Sequence, residues 1–239
     1  MAHRVGLIIP SSNRMVEEEM VRFYPRDVVA HVTRLRMTGP NRKPLEKLLP
    51  EIEAAAAALV DAKCEVVTFH CTVTSMADGP EGERAILEAV KRAGAHHVAT
   101  TSTAVRAALD ACNAKRLALV TPYDLHKTEE EIEFLHAAGY EIAYAKGYEL
   151  TDSDAYCATP AATWRERVLA ARHPDADAYF LSCANIQGIG EIAGLEAALG
   201  KPVLSSNQVV IWDALSKIGR AMGSGVPGSL FNKTVHAAT

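Results

Sequence analysis

Two of the five cysteines stand at matching places in a sequence that repeats itself. Cys71 ends the segment VVTFHC and Cys183 ends the segment YFLSC, and polar residues follow each of them. A similar apolar segment containing proline lies upstream of each cysteine, GLIIPSSN at Pro10 and LALVTPYD at Pro122. The cysteine follows the proline by 61 positions in both cases. This equal spacing predicts two similar halves that present one thiol each at corresponding loops.

Two thiols that face one cleft from opposite sides permit two kinds of chemistry. In a racemisation, one thiolate removes a proton from a carbon acid and the other thiol protonates the opposite face. In a cis–trans isomerisation, one thiolate adds to an electron-poor C=C bond, the resulting single bond rotates, and the thiolate leaves. A peptide bond is only partly double, yet its rotation barrier is ~18–20 kcal/mol, so rotation about a full double bond needs covalent help. The residues themselves leave both reactions open.

The segments around these cysteines predict alternating strands and helices. Runs rich in Val and Ile predict buried strands at residues 5–9, 28–35, 65–69, 97–100, 117–120, 140–145, 178–181 and 202–204. Helices are predicted at residues 15–23, 45–62, 81–93, 104–111, 128–138, 163–172 and 192–199, and the acidic run 129–131 is expected to be solvated. Such alternation is typical of α/β folds with parallel sheets, which bind ligands at the carboxyl ends of the strands. If the two halves face each other about a pseudo-twofold axis, both cysteines flank one cleft.

The composition excludes several classes of function. The chain has 239 residues, a net charge of −4 and no cluster of Lys and Arg, so no nucleic-acid partner is expected. No apolar run reaches the ~20 residues of a membrane span, so no membrane partner is expected. GxxxxGKS/T does not occur, and the glycines of Gly223–Gly228 stand in the wrong context for a phosphate-binding loop. The cysteines are too scattered for a disulfide framework or a metal site. We expect a cytoplasmic protein with reduced thiols and without a bound metal or nucleotide.

Hydroxyl and amide side chains surround both cysteines and suit a small anion such as a carboxylate. The backbone N–H groups of a loop that enters a helix also bind anions and lower a thiol pKa. Other roles are open for these side chains, because Asn13 can cap helix 15–23 and Tyr123 can close a strand end. His70, beside the first cysteine, points to the opposite face of its strand, so we expect a structural role for it. The candidates are Ser12, Asn13, Thr72, Thr74, Tyr123 and Asn185.

Short motifs extend in a specific order along nearly the whole chain. They are GLIIPSSN with the acidic helix after it, CTVTS with a following Gly-Pro, TSTA, TPY, SC and PVLSSNQVVIWDAL. In this order they resemble the aspartate/glutamate racemase superfamily, and within it most closely the maleate cis–trans isomerases. The resemblance implies two Rossmann-like domains with the active site between them and no cofactor.

The resemblance also implies roles for individual residues. Cys71 corresponds to the nucleophile, which forms a succinyl-cysteine-like adduct, and Cys183 corresponds to its acid/base partner. In the segment TDSD this chain has Ser153 where the family has Asn, so the contact to one carboxylate, or the substrate itself, can differ. The other carboxylate contacts implied are Asn13, Tyr123 and the backbone N–H groups after each cysteine, at Thr72, Val73, Thr74, Ala184 and Asn185. Ser12 is a candidate because of its hydroxyl and not through the resemblance.

Other activities stay open beside the one we predict. Arylmalonate decarboxylases resemble this chain at Thr72, Tyr123 and the Ser182–Cys183 turn, but they have glycine in place of Cys71. Racemases of amino acids or hydantoins keep both thiols and are the runner-up, and a two-lobed protein that only binds small acids is a third hypothesis. We predict a cofactor-independent cis–trans isomerase of a small unsaturated dicarboxylate, of the maleate-to-fumarate type.

The order of the elements also divides the chain into two lobes. We expect residues 1–93 with 208–239 to form the N-terminal lobe and residues 94–207 to form the second; the return of the closing segment is implied by the resemblance. The two crossings between the lobes would act as a hinge. Closure over a small acid would exclude water and strengthen the hydrogen bonds to it. A homodimer is compatible with this arrangement.

Overall fold

Two parallel sheets of four strands form the frame of the protein. The computed structural model describes residues 2–37, 43–220 and 226–233. The first sheet consists of β1 (His3–Pro10), β2 (Val28–Leu35), β3 (Val66–Phe69) and β4 (His97–Thr100), in the order β2-β1-β3-β4. The second consists of β5 (Arg116–Thr121), β6 (Glu141–Gly147), β7 (Ala178–Leu181) and β8 (Val203–Ser205), in the order β6-β5-β7-β8. The two orders are equivalent, which confirms the internal repeat and the α/β fold predicted from the sequence.

The position of β4 corrects the predicted boundary between the halves. That prediction placed residues 94–207 in the second lobe. Residues His97–Thr100 instead pair with Val66–Phe69 of β3, so they complete the first sheet. The chain therefore crosses from the first sheet to the second after β4, which is the edge strand of the first sheet.

Ten helices among the described residues cover the sheets. They are α1 (Val16–Phe23), α2 (Leu45–Asp61), α3 (Thr72–Met76), α4 (Gly79–Arg92), α5 (Thr101–Ala111), α6 (Leu125–Ala137), α7 (Ser153–Ala158), α8 (Ala161–Ala170), α9 (Ile192–Leu199) and α10 (Ser206–Lys217). Short 3₁₀ turns occur at Ile189–Glu191 and Ser229–Asn232. All seven predicted helices are present, whereas α3, α7 and α10 were not predicted. Within the described ranges, none of the helices combines the length and apolar character needed to cross a bilayer.

A shared apolar core joins the two sheets. It contains side chains of β1 and β3 from the first sheet and of β5 and β7 from the second, such as Leu7 and Leu119. Helices α5 and α10 pack against each other within this core, and Trp212 of α10 is completely buried there. The outer face of the first sheet packs on α2 and α4, and that of the second packs on α8 and α9. The core therefore fixes the two sheets relative to each other, with β3 and β7 ending at the same side.

Candidate active site

A cavity of about 460 Å³ lies where the two sheets meet at the carboxyl ends of their strands. Both Cys71, after β3, and Cys183, after β7, line it. The structure brings together every residue that the sequence predicted for the site: Ser12, Asn13, Cys71, Thr72, Val73, Thr74, Tyr123, Ser153, Cys183, Ala184 and Asn185. Six further lining residues were not predicted: Pro10, Met37, His126, Lys127, Glu130 and Tyr156.

Cys71 lies at the start of a short helix. It is the residue immediately before α3, and its carbonyl accepts the first helical hydrogen bond, from Ser75 N–H at 2.9 Å. The first N–H groups of any helix have no acceptor within that helix, so those of Thr72 and Val73 are available to an acceptor at this end of α3. The Cys71 thiol donates to the Thr74 hydroxyl oxygen at 3.2 Å. A hydroxyl can also donate, so the same side chain can hydrogen-bond the sulfur after Cys71 loses its proton.

Cys183 has an unusual backbone conformation and a buried thiol. Its φ of 146° lies in a region that residues with side chains rarely adopt, which costs about 1–3 kcal/mol. Asn185 N–H donates to its sulfur at 3.3 Å. Burial raises the pKa of this thiol to about 12; the hydrogen bond from Tyr123 opposes that shift, and negative charge on the nearby Cys71 sulfur adds to it. Cys183 is therefore protonated at neutral pH and can act as an acid.

One hydroxyl links the two cysteine loops. Ser206, at the start of α10, accepts hydrogen bonds from the Thr72 hydroxyl at 2.9 Å and from the Cys183 N–H at 3.0 Å. The first donor follows Cys71 directly, so a single side chain holds both loops. In the sequence, Ser206 lies within the motif PVLSSNQ, but no role was predicted for it. Its only signal was the Ser-Ser pair at the end of a predicted strand.

Asn13 caps a helix and also crosses between the two halves. Its Oδ1 accepts hydrogen bonds from the N–H groups of Met15 at 3.1 Å and Val16 at 3.0 Å, at the beginning of α1. Its Nδ2 donates to the Ala184 carbonyl at 2.9 Å. The amide carries a second hydrogen, so capping does not prevent a contact with a ligand in the cavity. The capping role considered for Asn13 is thus present, and its contact with substrate stays a prediction.

The loop after β1 and helix α7 meet over the cavity. The Ser153 hydroxyl donates to the Ser12 hydroxyl at 3.0 Å, and Arg14 forms an ion pair with Asp154 at 2.6 Å. Asn185 accepts a hydrogen bond from the Arg14 N–H at 2.8 Å, which ties the Cys183 turn to the same place. These contacts join the two halves at the rim, so opening the cleft requires that they break.

Tyr123 is buried beside Cys183. Burial, together with the charges of Cys183 and Glu131, raises the pKa of the Tyr123 hydroxyl well above its usual value. It therefore stays protonated and can donate a hydrogen bond into the cavity. The ring of Tyr156 packs edge-on against it, with the ring centroids 5.9 Å apart. Tyr156 could not be selected from the sequence, because α7 was not predicted.

His70 is held in a buried network and does not pair with a cysteine. Its Nε2 is 2.8 Å from Asn207 Oδ1, which only accepts hydrogen bonds, so this nitrogen carries the proton. Nδ1 then accepts from the Thr101 hydroxyl at 2.9 Å. Burial lowers the pKa of His70 to about 4, so the ring is neutral at ordinary pH. The predicted structural role of His70 is confirmed.

Two equivalent parallel sheets with one cysteine from each at a shared cavity define a two-lobed, two-thiol α/β protein. The sequence model for arylmalonate decarboxylase matches residues 5–231, and the chain belongs to that family. A maleate isomerase of Nocardia farcinica (strain IFM 10152) is 30% identical over 240 residues, which cover 95% of this chain and 93% of that protein. The family relationship that the motifs predicted is thereby confirmed.

Solved structures of maleate isomerases share the fold over nearly the full length. One is a variant of the Pseudomonas putida S16 enzyme with maleate, with a TM-score of 0.88 and 26% identity. Another is a mutant of the Nocardia farcinica maleate cis–trans isomerase with a covalently bound succinylcysteine intermediate, also with a TM-score of 0.88 and 26% identity. Each comparison covers 97% of this chain and 98% of the other.

Proposed function

We propose that this protein is a cofactor-independent cis–trans isomerase of a small unsaturated dicarboxylate, of the maleate-to-fumarate type. The observation that carries the proposal is that Cys71 and Cys183, from opposite halves of the chain, line one cavity. Their surroundings differ in the way the reaction requires. Helix N–H groups and a hydroxyl border Cys71, whereas burial keeps Cys183 protonated. The succinylcysteine found in the Nocardia farcinica relative supports the same chemistry.

The reaction proceeds by addition, rotation and elimination. The Cys71 thiolate forms a C–S bond to one alkene carbon, and the π electrons move to the other carbon, beside its carboxylate. Cys183 S–H gives its proton to that carbon, which leaves a saturated adduct whose central C–C bond rotates. The Cys183 thiolate then takes a proton from the same carbon, the double bond re-forms, and the C–S bond breaks. Both thiols return to their initial states.

The substrate carboxylates meet neutral hydrogen-bond donors. Tyr123 offers its hydroxyl close to Cys183, and the first turn of α3 offers N–H groups beside Cys71. Ser153 and Ser12 stand at the rim, where the second carboxylate would lie. A hydroxyl donates one hydrogen bond where an amide donates two, so Ser153 binds that carboxylate less tightly than the Asn expected there.

The decarboxylase and racemase alternatives receive less support. The family is described by its arylmalonate decarboxylase, yet Cys71 occupies the cavity at the place where the sequence comparison expects glycine in such enzymes. A racemase would use the same two thiols, but the Nocardia farcinica relative at 30% identity is a maleate isomerase. We propose that the ligand of this cavity is a small carboxylic acid. The cytoplasmic location and the homodimer stay predictions.

Trapping the adduct tests the proposal directly. The protein is incubated with maleate, fumarate is followed by proton NMR, and the intact mass is measured and mapped to peptides. We expect Cys183→Ser to gain the mass of one maleic acid on Cys71, and Cys71→Ser to lose turnover by at least ~10³-fold. Cys112→Ser is the matched control, because Cys112 follows α5 and does not line the cavity. Near-normal turnover by Cys71→Ser would refute covalent catalysis by this thiol.

A further inference from the structure

Glu19 is a buried carboxylate whose hydrogen bonds all leave its own helix. It lies on α1 and is 7% exposed, unlike Glu17 and Glu18 beside it, which are exposed. One carboxylate oxygen accepts the N–H groups of Gly188 and Ile189, both at 3.2 Å, in the segment after Cys183. In the described part of the chain no cation forms an ion pair with Glu19. Burial raises the pKa of this carboxyl, and its hydrogen bonds, together with the charge of Arg22, oppose that shift, so its partners must be well placed.

Asn207 extends this contact to both cysteine loops. Its Nδ2 donates to the other oxygen of Glu19 and also lies 3.3 Å from the Ala184 carbonyl. Its Oδ1 accepts from Nε2 of His70, the residue before Cys71, at 2.8 Å. Glu19 and Asn207 therefore contact the segment that follows Cys183 in the chain and the residue immediately before Cys71. No side chain of the pair lines the cavity.

We propose that Glu19 and Asn207 are positioning residues that set the two thiols at the distance and angle the reaction needs. This inference rests on the proposed function. The backbone at Cys183 is in a sparsely populated conformation, which persists only where surrounding contacts impose it. Two amides, Asn13 and Asn207, hold the Ala184 carbonyl, and Glu19 holds the segment that follows. A misplacement of about 1 Å between reacting groups can cost about 100-fold in rate.

The donor and acceptor pattern between the two side chains suggests a reversal experiment. In Glu19→Gln the new NH₂ group faces the NH₂ group of Asn207, so the hydrogen bond between them is lost. In the double variant Glu19→Gln with Asn207→Asp, the glutamine donates and the aspartate accepts, so the bond re-forms with its direction reversed. The aspartate can still accept from His70, but it has no hydrogen to donate to the Ala184 carbonyl, so the expected recovery is partial. Glu18→Gln on the exposed face of the same helix is the matched control.

Three measurements separate positioning from simple support of the fold. They are kcat and KM for maleate, the thermal midpoint, and the rate at which iodoacetamide alkylates Cys183 in a Cys71→Ser background. We expect Glu19→Gln to lower kcat about 100-fold with KM changed less than about threefold, and the double variant to recover at least about tenfold. Alkylation of Cys183 should change at least about fivefold in the single variant, which is the lower end of typical couplings between two positions. It should return toward the parent rate in the double variant.

Each outcome of these measurements decides the proposal. A lower thermal midpoint with unchanged kcat and unchanged alkylation would show a purely structural role and overturn it. If the parent protein does not convert maleate, the proposed function fails, and the alkylation rates alone decide whether the pair positions Cys183. If Glu19→Gln does not fold, the double variant decides: a folded protein with kcat within about tenfold of the parent supports the pair, and any lower activity or failure to fold overturns it.

Discussion

Replacing Glu131 by glutamine should change how the stability of the protein depends on pH. Glu131 lies on α6 and is completely buried. One of its oxygens accepts a hydrogen bond from the Ser182 hydroxyl at 3.0 Å, and the other oxygen, Oε2, has no hydrogen-bond partner among the described residues. Burial raises the pKa of this carboxyl from its ordinary 4.5 to about 8, and the charge of Glu130 adds to the shift. The folded protein therefore keeps a proton that the unfolded chain releases.

The size of the effect follows from linkage. Between the unfolded pKa and the folded pKa, the folded state holds one more proton than the unfolded state, so each pH unit lowers the free energy of unfolding by about 1.4 kcal/mol. The stabilisation is complete below the unfolded pKa and is lost as the pH rises through about 8. A glutamine cannot ionise, so its variant lacks this dependence. Its stability relative to the parent should improve by about 4 kcal/mol from about pH 5 to pH 8.

Urea unfolding followed by tryptophan fluorescence measures this difference. Trp164 and Trp212 are both completely buried, so unfolding changes the environment of each. The comparison of parent and Glu131→Gln at each pH cancels the titration of all other groups. Glu133→Gln replaces an exposed carboxyl on the same helix, and its difference from the parent should stay constant along the series. Parallel stability curves for the parent and Glu131→Gln would refute the reasoning.

Three further predictions concern binding, catalysis and the core. Tyr123→Phe removes the hydroxyl beside Cys183 and should lower kcat/KM for maleate by about 10- to 100-fold, measured by NMR of fumarate formation; an unchanged value would exclude a contact with substrate. Ser153→Asn supplies the additional donor and should lower KM for maleate by about threefold to tenfold, and a higher KM would show that the hydroxyl bond to Ser12 matters more. Trp212→Ala should cost about 3–5 kcal/mol in urea unfolding, because it removes a completely buried ring from the core shared by both sheets, and a loss below about 1 kcal/mol would contradict that placement.

The frame of the fold could be predicted because short-range signals determine it. Each strand is a compact apolar run, and the equal spacing from proline to cysteine reflects two units with the same strand order. Helix α10 was not predicted for the opposite reason. Its residues from Ser206 to Leu215 are all buried, so the helix lacks the polar face that produces a periodic pattern. Helix α3 is only five residues long, which is too short to give a period.

The site was predictable only where it is built from strand ends. Residues such as Asn13 and Tyr123 follow strands directly, so the carboxyl-end rule places them together. His126 and Tyr156 enter the cavity from the first turns of helices, and their direction depends on how those helices pack. The prediction for the acidic run 129–131 was wrong at one residue. Glu131 was expected to be solvated with its neighbours but is completely buried, and only the position of its helix against the second sheet determines which carboxyl turns inward.

The protonation states in the cavity wall assign the two thiols their roles. Burial keeps the proton on Cys183, on Tyr123 and, below about pH 8, on Glu131, so these three groups are uncharged. A thiol held in this way can give a proton to a carbanion and is a poor resting nucleophile. Cys71 instead lies at the start of α3, with the Thr74 hydroxyl oxygen 3.2 Å from its sulfur. Because the buried Cys183 keeps its proton, it fits the acid/base role, and this leaves Cys71 for the nucleophile that the resemblance implies.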